Sequence, residues 1–236
     1  MKEHIHTIPV VEALKEPGIC AFCAMKKKLE DGAIRFIMGP AYMEDDVRMK
    51  TNKSGFCKKH MDAMYEAGNR LGLALMLHTH VMEIGKNITS LTSFSVKPSF
   101  FSQGIDSFAS KLGEHLVKTN NDCYVCDYVD TTFERYVDTF FMLWSKGGDE
   151  ARLIASQKGY CLPHFAKMLL HVAKLGGGKR KKFMNEILPI WKEYMLQLED
   201  DLDWFVQKFD YRNKDADWGT SKDALPRAIA VLGGEA

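Results

Sequence analysis

Two short stretches of the sequence place a cysteine and a histidine three positions apart. GFCKKH contains Cys57 and His60, and GYCLPH contains Cys161 and His164. In each stretch a glycine and an aromatic residue come first, which predicts a turn into a helix. Residues three apart on a helix share one face, so the thiol and the imidazole of each pair lie side by side. Both groups are ligands that zinc takes in proteins, and each stretch therefore predicts half of a metal site.

The other four cysteines form two CxxC pairs, each of which precedes a CxxH pair. Between Cys23 and Cys57 lie 33 residues, and between Cys126 and Cys161 lie 34. A CxxC turn directs two sulfurs at one point, and a CxxH pair adds the third sulfur and a nitrogen to complete a tetrahedral Cys3His shell. The order along the chain predicts that each CxxC joins the CxxH that follows it. The first expected site is Cys20, Cys23, Cys57 and His60, and the second is Cys123, Cys126, Cys161 and His164.

The donor set indicates which metal each site would hold. Four protein ligands are typical of structural zinc, because catalytic zinc usually keeps one position for water. We therefore expect two zinc ions per chain. The same ligands could hold an iron–sulfur cluster, which is bound mostly by cysteine with occasional histidine. Buried cysteines can also act as small hydrophobic residues, and a thioredoxin-like CxxC needs a βαβ setting that this sequence does not predict.

The similarity between the two halves of the sequence extends beyond the ligands. Residues 45–64 align with residues 149–168 without a gap, and both copies share an aspartate, an arginine, the glycine-aromatic pair and a final methionine. This similarity indicates an internal duplication. We expect a first helical repeat over residues 1–98, a second over residues 99–210, and a C-terminal segment over residues 211–236 that packs back on the bundle.

Apolar residues recur at helical spacing through most of the chain, and the alternation typical of strands is scarce. The pattern predicts an all-α protein, an internally duplicated helical bundle with two metal-binding CxxC/CxxH sets. A short last helix is expected to begin near Ser221, whose hydroxyl would cap it. The longer helical runs are predicted over residues 24–39, 57–88, 98–118, 126–146, 149–157, 162–176 and 179–209.

The C-terminal sequence FDYRNKDADWGTSKDALPRAI is polar but keeps aromatic residues, which predicts an ordered segment. Two interpretations remain open for residues Tyr211 to Arg227. The segment could be a strap that seals the core. It could instead form the wall of a ligand cleft in which Arg212, Lys222 or Arg227 contacts an anion.

The overall charge and hydropathy exclude several classes of function. The chain has 236 residues and a formal net charge of +1, so no strong field attracts it to nucleic acid or to an anionic membrane. It lacks the run of about 18 apolar residues that a membrane span needs, and its start has no apolar run typical of a signal peptide. We expect a cytoplasmic protein whose partner is another protein or a small-molecule ligand. In a reducing compartment, six cysteines favour metal binding over disulfides.

The motifs GFCKKH and GYCLPHF and the tail KFDYRNKDADWGTSKDALPRA follow one another over nearly the whole chain. Together they resemble a bacterial family of uncharacterised proteins, a domain of unknown function found largely in anaerobes. The resemblance implies a single fold unit that includes both motif sets, and it implies no activity. The expected function is a non-enzymatic binding or scaffold protein. The alternatives are a metal- or redox-sensing protein that uses the same ligands and an enzyme with a pocket between the repeats.

Overall fold

The structure, a computed structural model, describes residues 5–93 and 102–234. These residues form eleven α-helices and no strand, which confirms the all-α prediction. Short 3₁₀ turns lie at Pro40–Met43, Tyr211–Asn213 and Ser221–Asp223. The helices are α1 (Thr7–Lys15), α2 (Ala21–Met38), α3 (Asp45–Ser54), α4 (Lys58–Glu66), α5 (Arg70–Ser93), α6 (Ser102–Asn121), α7 (Tyr124–Lys146), α8 (Asp149–Ala155), α9 (Leu162–Val172), α10 (Gly177–Gln207) and α11 (Ala224–Gly233).

The chain divides into two compact units. Unit 1 comprises Met1–Lys28 and Phe133–Ala236, and unit 2 comprises Leu29–Thr132. The division falls inside α2 and inside α7, so each of these helices contributes residues to both units. The predicted boundary between residues 98 and 99 lies outside the described residues. Each unit contains parts of both predicted repeats, and the duplication itself stays a prediction.

The core of unit 1 is aromatic. Phe22, in the first turn of α2, lies with its ring centroid 4.9 Å from that of Phe140 on α7. The Phe140 ring meets the Phe183 ring of α10 edge-on at 6.5 Å. Each of these three side chains is almost fully buried, and burying a side chain of this size contributes about 1.5–3 kcal/mol. The cluster therefore fixes the start of α2 against α7 and α10.

In unit 2, α5 packs against both α3 and α4. The prediction of one helix over residues 57–88 is wrong, because α4 ends at Glu66 and α5 begins at Arg70. Gly68 lies between them with φ +92°, a conformation that a helix interior does not allow. The Asn69 side chain then accepts a hydrogen bond from the Gly72 N–H at 3.0 Å and caps the start of α5.

The C-terminal segment packs on α10. Ala228 and Val231 of α11 form a buried cluster with Leu198 of α10. The predicted capping role of Ser221 is wrong, because α11 begins at Ala224. Ser221 is instead buried, and its hydroxyl donates to the Trp218 carbonyl at 2.7 Å. A 3₁₀ turn takes up the residues that the sequence pattern assigns to the first turn of the helix.

Candidate metal centres

Each unit brings together three cysteines and one histidine whose ligand atoms all lie within 4.8 Å of one another. Both groups have the composition Cys3His that the sequence predicts. Their membership differs from the predicted one. Site 1, in unit 1, is Cys20, Cys23, Cys161 and His164. Site 2, in unit 2, is Cys57, His60, Cys123 and Cys126.

The predicted grouping within each half of the sequence is therefore wrong, since each CxxC pair meets the CxxH pair of the other half. The helices that follow the CxxC pairs give the physical reason. Helix α2 has 18 residues and so extends about 27 Å from the first CxxC pair. The chain reaches the first CxxH pair in unit 2, while the first CxxC pair stays in unit 1.

Site 1 forms where α2 and α9 begin. Cys161 is the N-cap residue of α9, and Pro163 in the first turn suits the helical backbone. The Sγ atoms of Cys23 and Cys161 lie 3.5 Å apart. The Nδ1 atom of His164 lies 3.1 Å from the Sγ atom of Cys161, 3.3 Å from that of Cys23 and 3.7 Å from that of Cys20. Helix N-termini favour negative charge, so they suit bound thiolates.

Site 2 repeats this local arrangement at the start of α4 and α7. Cys57 is the N-cap residue of α4, and its backbone angles are close to those of Cys161. The Nδ1 atom of His60 lies 3.2 Å from Cys57 Sγ, 3.3 Å from Cys123 Sγ and 3.4 Å from Cys126 Sγ. The Tyr124 N–H, next to Cys123, donates to the Gly55 carbonyl at 3.0 Å. This backbone bond ties the CxxC turn directly to the turn that precedes the CxxH pair.

The sulfur–sulfur distances fit a single tetrahedral ion at each site, whereas most of the nitrogen–sulfur distances, 3.1–3.7 Å at site 1 and 3.2–3.4 Å at site 2, are shorter than those of an ideal shell. Zinc binds sulfur at about 2.3 Å and nitrogen at about 2.0–2.1 Å, so ligand atoms of one tetrahedral shell lie about 3.5–3.8 Å apart. The sulfur–sulfur distances of 3.5 Å at site 1 and 3.8 Å at site 2 fall in this range. All six thiols are free, and a disulfide would hold its sulfurs about 2.05 Å apart. Both groups could hold a metal ion.

The protonation states at site 1 also fit a metal. Burial, together with the positive charges of Lys26 and Lys167, lowers the pKa of His164 to about 4. The ring is thus neutral at pH 7, with a lone pair available for coordination. The hydrogen bond with Cys161, assisted by burial, raises the pKa of Cys20 to about 11. Crowded thiols therefore keep their protons unless a cation compensates the charge, so metal binding here would release protons.

The surroundings of the two sites differ. At site 1 all three cysteines are buried, and the His164 ring lies 5.3 Å from the Phe133 ring. At site 2, Cys57 and Cys126 are only partly buried. The Nε2 atom of His60 lies 3.5 Å from Glu30 Oε1, and Glu30 is also paired with Lys59 at 3.0 Å. A carboxylate behind a ligating histidine orients the ring and raises its basicity. Glu30 belongs to no sequence motif, so its place beside His60 was not predicted.

Other candidate residues lie away from the two sites. The Nδ1–H of His80 donates to the Asn52 carbonyl at 2.7 Å. Arg212 is exposed and bonds Asp210, two positions before it. Lys222 and Arg227 line a cleft in unit 1. Of the three predicted anion contacts, the structure therefore places two at a cleft and leaves Arg212 outside it.

The fold and the two sites define an all-α protein with a pair of Cys3His groups that could bind metal. The chain belongs to a family of unknown function, DUF6062, whose family model matches residues 1–236. This match confirms the resemblance to an uncharacterised family. No curated protein and no solved structure matches the chain. None of the described helices is both long and apolar enough to cross a membrane.

Proposed function

We propose that this protein is a non-enzymatic cytoplasmic binding module whose two units are each held in shape by one structural zinc ion. The observation that carries the proposal is the membership of the two sites. In site 1 the metal would link Cys23 to Cys161 across 138 residues, and in site 2 it would link Cys57 to Cys126 across 69. Each ion would thus close a long loop of the chain, which is a structural task.

The chemistry of the shell supports a structural ion. Each site offers three sulfurs and one nitrogen, and a tetrahedral ion bound by all four has no position left for water or substrate. The free energy of binding a structural zinc, about 10–16 kcal/mol in small zinc peptides, acts as folding free energy. In a chain with its own aromatic core, part of that free energy is redundant. The ions would then fix the positions of loops as much as they stabilise the fold.

The sulfur positions favour a single ion over an iron–sulfur cluster. In a cluster the four protein ligands are divided between two or more iron atoms, which separates some of them more than the ligands of one shared ion. Here all four ligand atoms of each site lie within 4.8 Å of one another. The sulfur–sulfur distances of 3.5 and 3.8 Å suit a shared ion. Zinc has no redox chemistry of its own and accepts tetrahedral thiolate and imidazole ligands. These properties support zinc in a protein that binds a partner rather than one that senses redox state.

Metal content per chain tests the proposal. The full chain is produced with zinc and iron both present in the medium and is purified without oxygen. We expect a colourless protein with about two zinc ions per chain by elemental analysis. Stoichiometric iron together with absorption at about 400 nm would instead establish an iron–sulfur cluster and overturn the zinc proposal. A folded chain that contains neither metal would overturn metal binding altogether.

A pair of histidine variants separates ligation from general damage. His164→Ala removes a ligand of site 1 and should lower the zinc content by about one ion per chain. His78→Ala removes an exposed histidine of α5 that belongs to neither site, and it should keep both ions. Equal zinc content in the two variants would contradict a role for His164 in metal binding.

A further inference from the structure

A cleft of about 830 Å³ opens in unit 1 between α10, the C-terminal segment and two loops. This volume is in the range of pockets that hold small molecules. The walls come from distant parts of the chain, which include Gly18, Ile19, Lys158, Tyr194, Lys222 and Arg227. The cleft therefore exists only because the C-terminal segment packs back on α10.

The charges in the cleft leave two lysines without a partner. Arg227 donates from Nη2 to Asp201 Oδ2 at 2.8 Å and from Nε to Asp223 Oδ1 at 2.9 Å. These contacts place one guanidinium between two carboxylates. Neither Lys158 nor Lys222 makes an ion pair or hydrogen bond through its side chain with the described residues, and both are exposed at the cleft. The lining thus carries one net positive charge, and both uncompensated ammonium groups are accessible.

A hydrogen-bonded network around Asp201 forms the floor of the cleft. Asp201 is only 5% exposed. Burial opposes its ionisation, but hydrogen bonds from Thr220, Arg227 and Gln197 outweigh burial and lower the pKa of the carboxyl. Its Oδ1 accepts from the Thr220 hydroxyl at 2.6 Å, and Thr220 also lines the cleft. A network satisfied in this way holds the Arg227 guanidinium and the C-terminal segment in one arrangement before any ligand arrives.

Two walls of the cleft are continuous with site 1. Gly18 and Ile19 come immediately before Cys20, and Lys158 comes three positions before Cys161. The Tyr194 ring lies so close to Gly159 that a Cβ at this glycine would be 2.9 Å from Tyr194 Cγ. The Tyr194 hydroxyl is buried beside the side chain of Arg227, without a hydrogen bond of good geometry to it. An ion at site 1 would hold both loops and so set the width of the cleft.

We propose that this cleft binds a small organic anion, whose carboxylate or phosphate group contacts Lys158 and Lys222, and that the ion at site 1 shapes the cleft. The inference rests on the proposed function, because it specifies what the metal-stabilised module binds. A carboxylate and a phosphate would both gain charge-assisted hydrogen bonds from the two ammonium groups. The small net charge and the limited volume of this open cleft together favour a small molecule over an extended polymer, which would require a longer basic surface.

Inorganic phosphate and succinate are suitable probes, because they represent the two anion chemistries. Binding to the full zinc-loaded chain is followed by phosphorus-31 line broadening for phosphate and by proton saturation transfer for succinate. We expect at least one probe to bind in the millimolar range. The anion that binds more tightly indicates which group the natural ligand carries. Failure of both probes to bind at tens of millimolar would overturn the inference.

Two double variants test the place of binding. Lys158→Ala/Lys222→Ala should weaken binding about tenfold or more, because it removes both uncompensated charges. Lys192→Ala/Lys214→Ala removes the same net charge from exposed positions of unit 1 that do not line the cleft. This control should bind as the wild type does. Equal weakening in both variants would show a general charge effect and would contradict the proposed cleft.

Zinc content measured on the same samples separates the inference from the proposed function. If the wild type and both lysine variants contain two zinc ions but bind no anion, the proposed function is supported and the ligand inference fails. If anions bind to a chain that holds no zinc, anion binding in the cleft is supported, but its dependence on an ion at site 1 is contradicted. A Cys161→Ser variant should lose anion binding together with one zinc ion, whereas Cys57→Ser should lose one zinc ion and keep anion binding.

Discussion

Cys23 and Cys161 stand 138 positions apart in the sequence, and their Sγ atoms lie 3.5 Å apart. If the two cysteines share one metal site, double cysteine variants should lose zinc in a different pattern from the one expected if each CxxC pair joined the CxxH pair of its own half. Cys23→Ser/Cys161→Ser damages one site only and should leave about one zinc ion per chain. Cys23→Ser/Cys57→Ser damages both sites and should leave almost none. Elemental analysis of the two purified proteins checks this.

The zinc contents of the same two variants would also reveal the alternative grouping. If each CxxC pair joined the CxxH pair of its own half, the two zinc contents would be exchanged. Both variants replace two cysteines by serine, so a general effect of cysteine loss would affect them alike. Circular dichroism on each protein shows whether the remaining chain is still helical, as the structure requires.

The predicted and observed sites differ for a physical reason. Local spacing identifies CxxC and CxxH pairs, because residues three apart meet on the same turn whatever the rest of the chain does. Which pair meets which depends on the direction in which α2 and α7 carry the chain, and this is decided by packing such as the contact of Phe22 with Phe140. No pattern of a few residues encodes a choice between partners that lie 69 or 138 positions apart.

The positions of the helices were predicted better than the residues at which they begin and end. Apolar periodicity predicts where helices occur, and most observed helices match the predicted runs. It missed the break at Gly68, although glycine followed by asparagine is a recognisable signal for a helix end and a new cap. The sequence pattern also predicted a capping role for Ser221, because a serine before an apolar run is typical of an N-cap. In the structure the backbone at Ser221 forms a 3₁₀ turn instead. Glu30 could not have been found, because its role depends only on its position beside His60.

We expect the Glu30 carboxylate to increase the metal affinity of site 2. Its carboxylate lies 3.5 Å from His60 Nε2, the nitrogen that faces away from the sulfurs. Glu30→Gln removes the charge with little change in shape, and we expect it to weaken metal binding at site 2 about 10–100-fold. Zinc release to a coloured chelator should then show one faster phase that accounts for about half of the metal.

Glu134 provides the matched control for Glu30. This carboxylate belongs to unit 1 and pairs with Lys167, which holds the pKa of Glu134 below its usual range. No ion pair joins it to either metal-site histidine among the described residues. Glu134→Gln should therefore release zinc at the wild-type rates. A similar acceleration in both variants would show that loss of any nearby carboxylate is enough.

Gly55 should be sensitive to any side chain. Its φ is +61°, a region that residues with a Cβ rarely adopt, and a Cβ here would overlap the His80 ring. Its carbonyl also accepts from the Tyr124 N–H beside Cys123. We expect Gly55→Ala to lower the free energy of unfolding by about 1–3 kcal/mol or more, measured by urea denaturation of the zinc-loaded protein. The strain would also disturb site 2, so zinc release should accelerate.

Gly113 tests whether the effect at Gly55 is specific. It lies in α6 of the same unit, and a Cβ there would meet no other atom within 4 Å. Gly113→Ala should raise the free energy of unfolding by up to about 1 kcal/mol, because alanine favours a helix interior over glycine. A loss of stability at Gly113, or none at Gly55, would contradict the backbone positions that the structure assigns.

His171 should make the stability of unit 1 depend on pH. The ring is buried, stacks on Phe141 at 4.7 Å, and its Nε2 lies 2.9 Å from Asp138 Oδ1. Burial and the charge of Lys174 lower the pKa of His171, with a smaller contribution from Lys167, and they outweigh the opposing carboxylates of Asp138 and Glu134. The folded chain therefore keeps the ring neutral at a pH where the unfolded chain has already bound a proton.

The sign of the pH effect follows from this difference in pKa. The stability that the neutral ring contributes is complete above the unfolded pKa of about 6.5, and it falls as the pH drops from there toward the lower folded pKa. His171→Gln cannot bind the proton, so its free energy of unfolding should decrease less than that of the wild type between about pH 7.5 and 5.5. His78→Gln, which changes an exposed histidine, should follow the wild type, and zinc content at both pH values excludes metal loss as the cause. Parallel curves for His171→Gln and the wild type would mean that the buried ring titrates as freely in the folded chain as in the unfolded one.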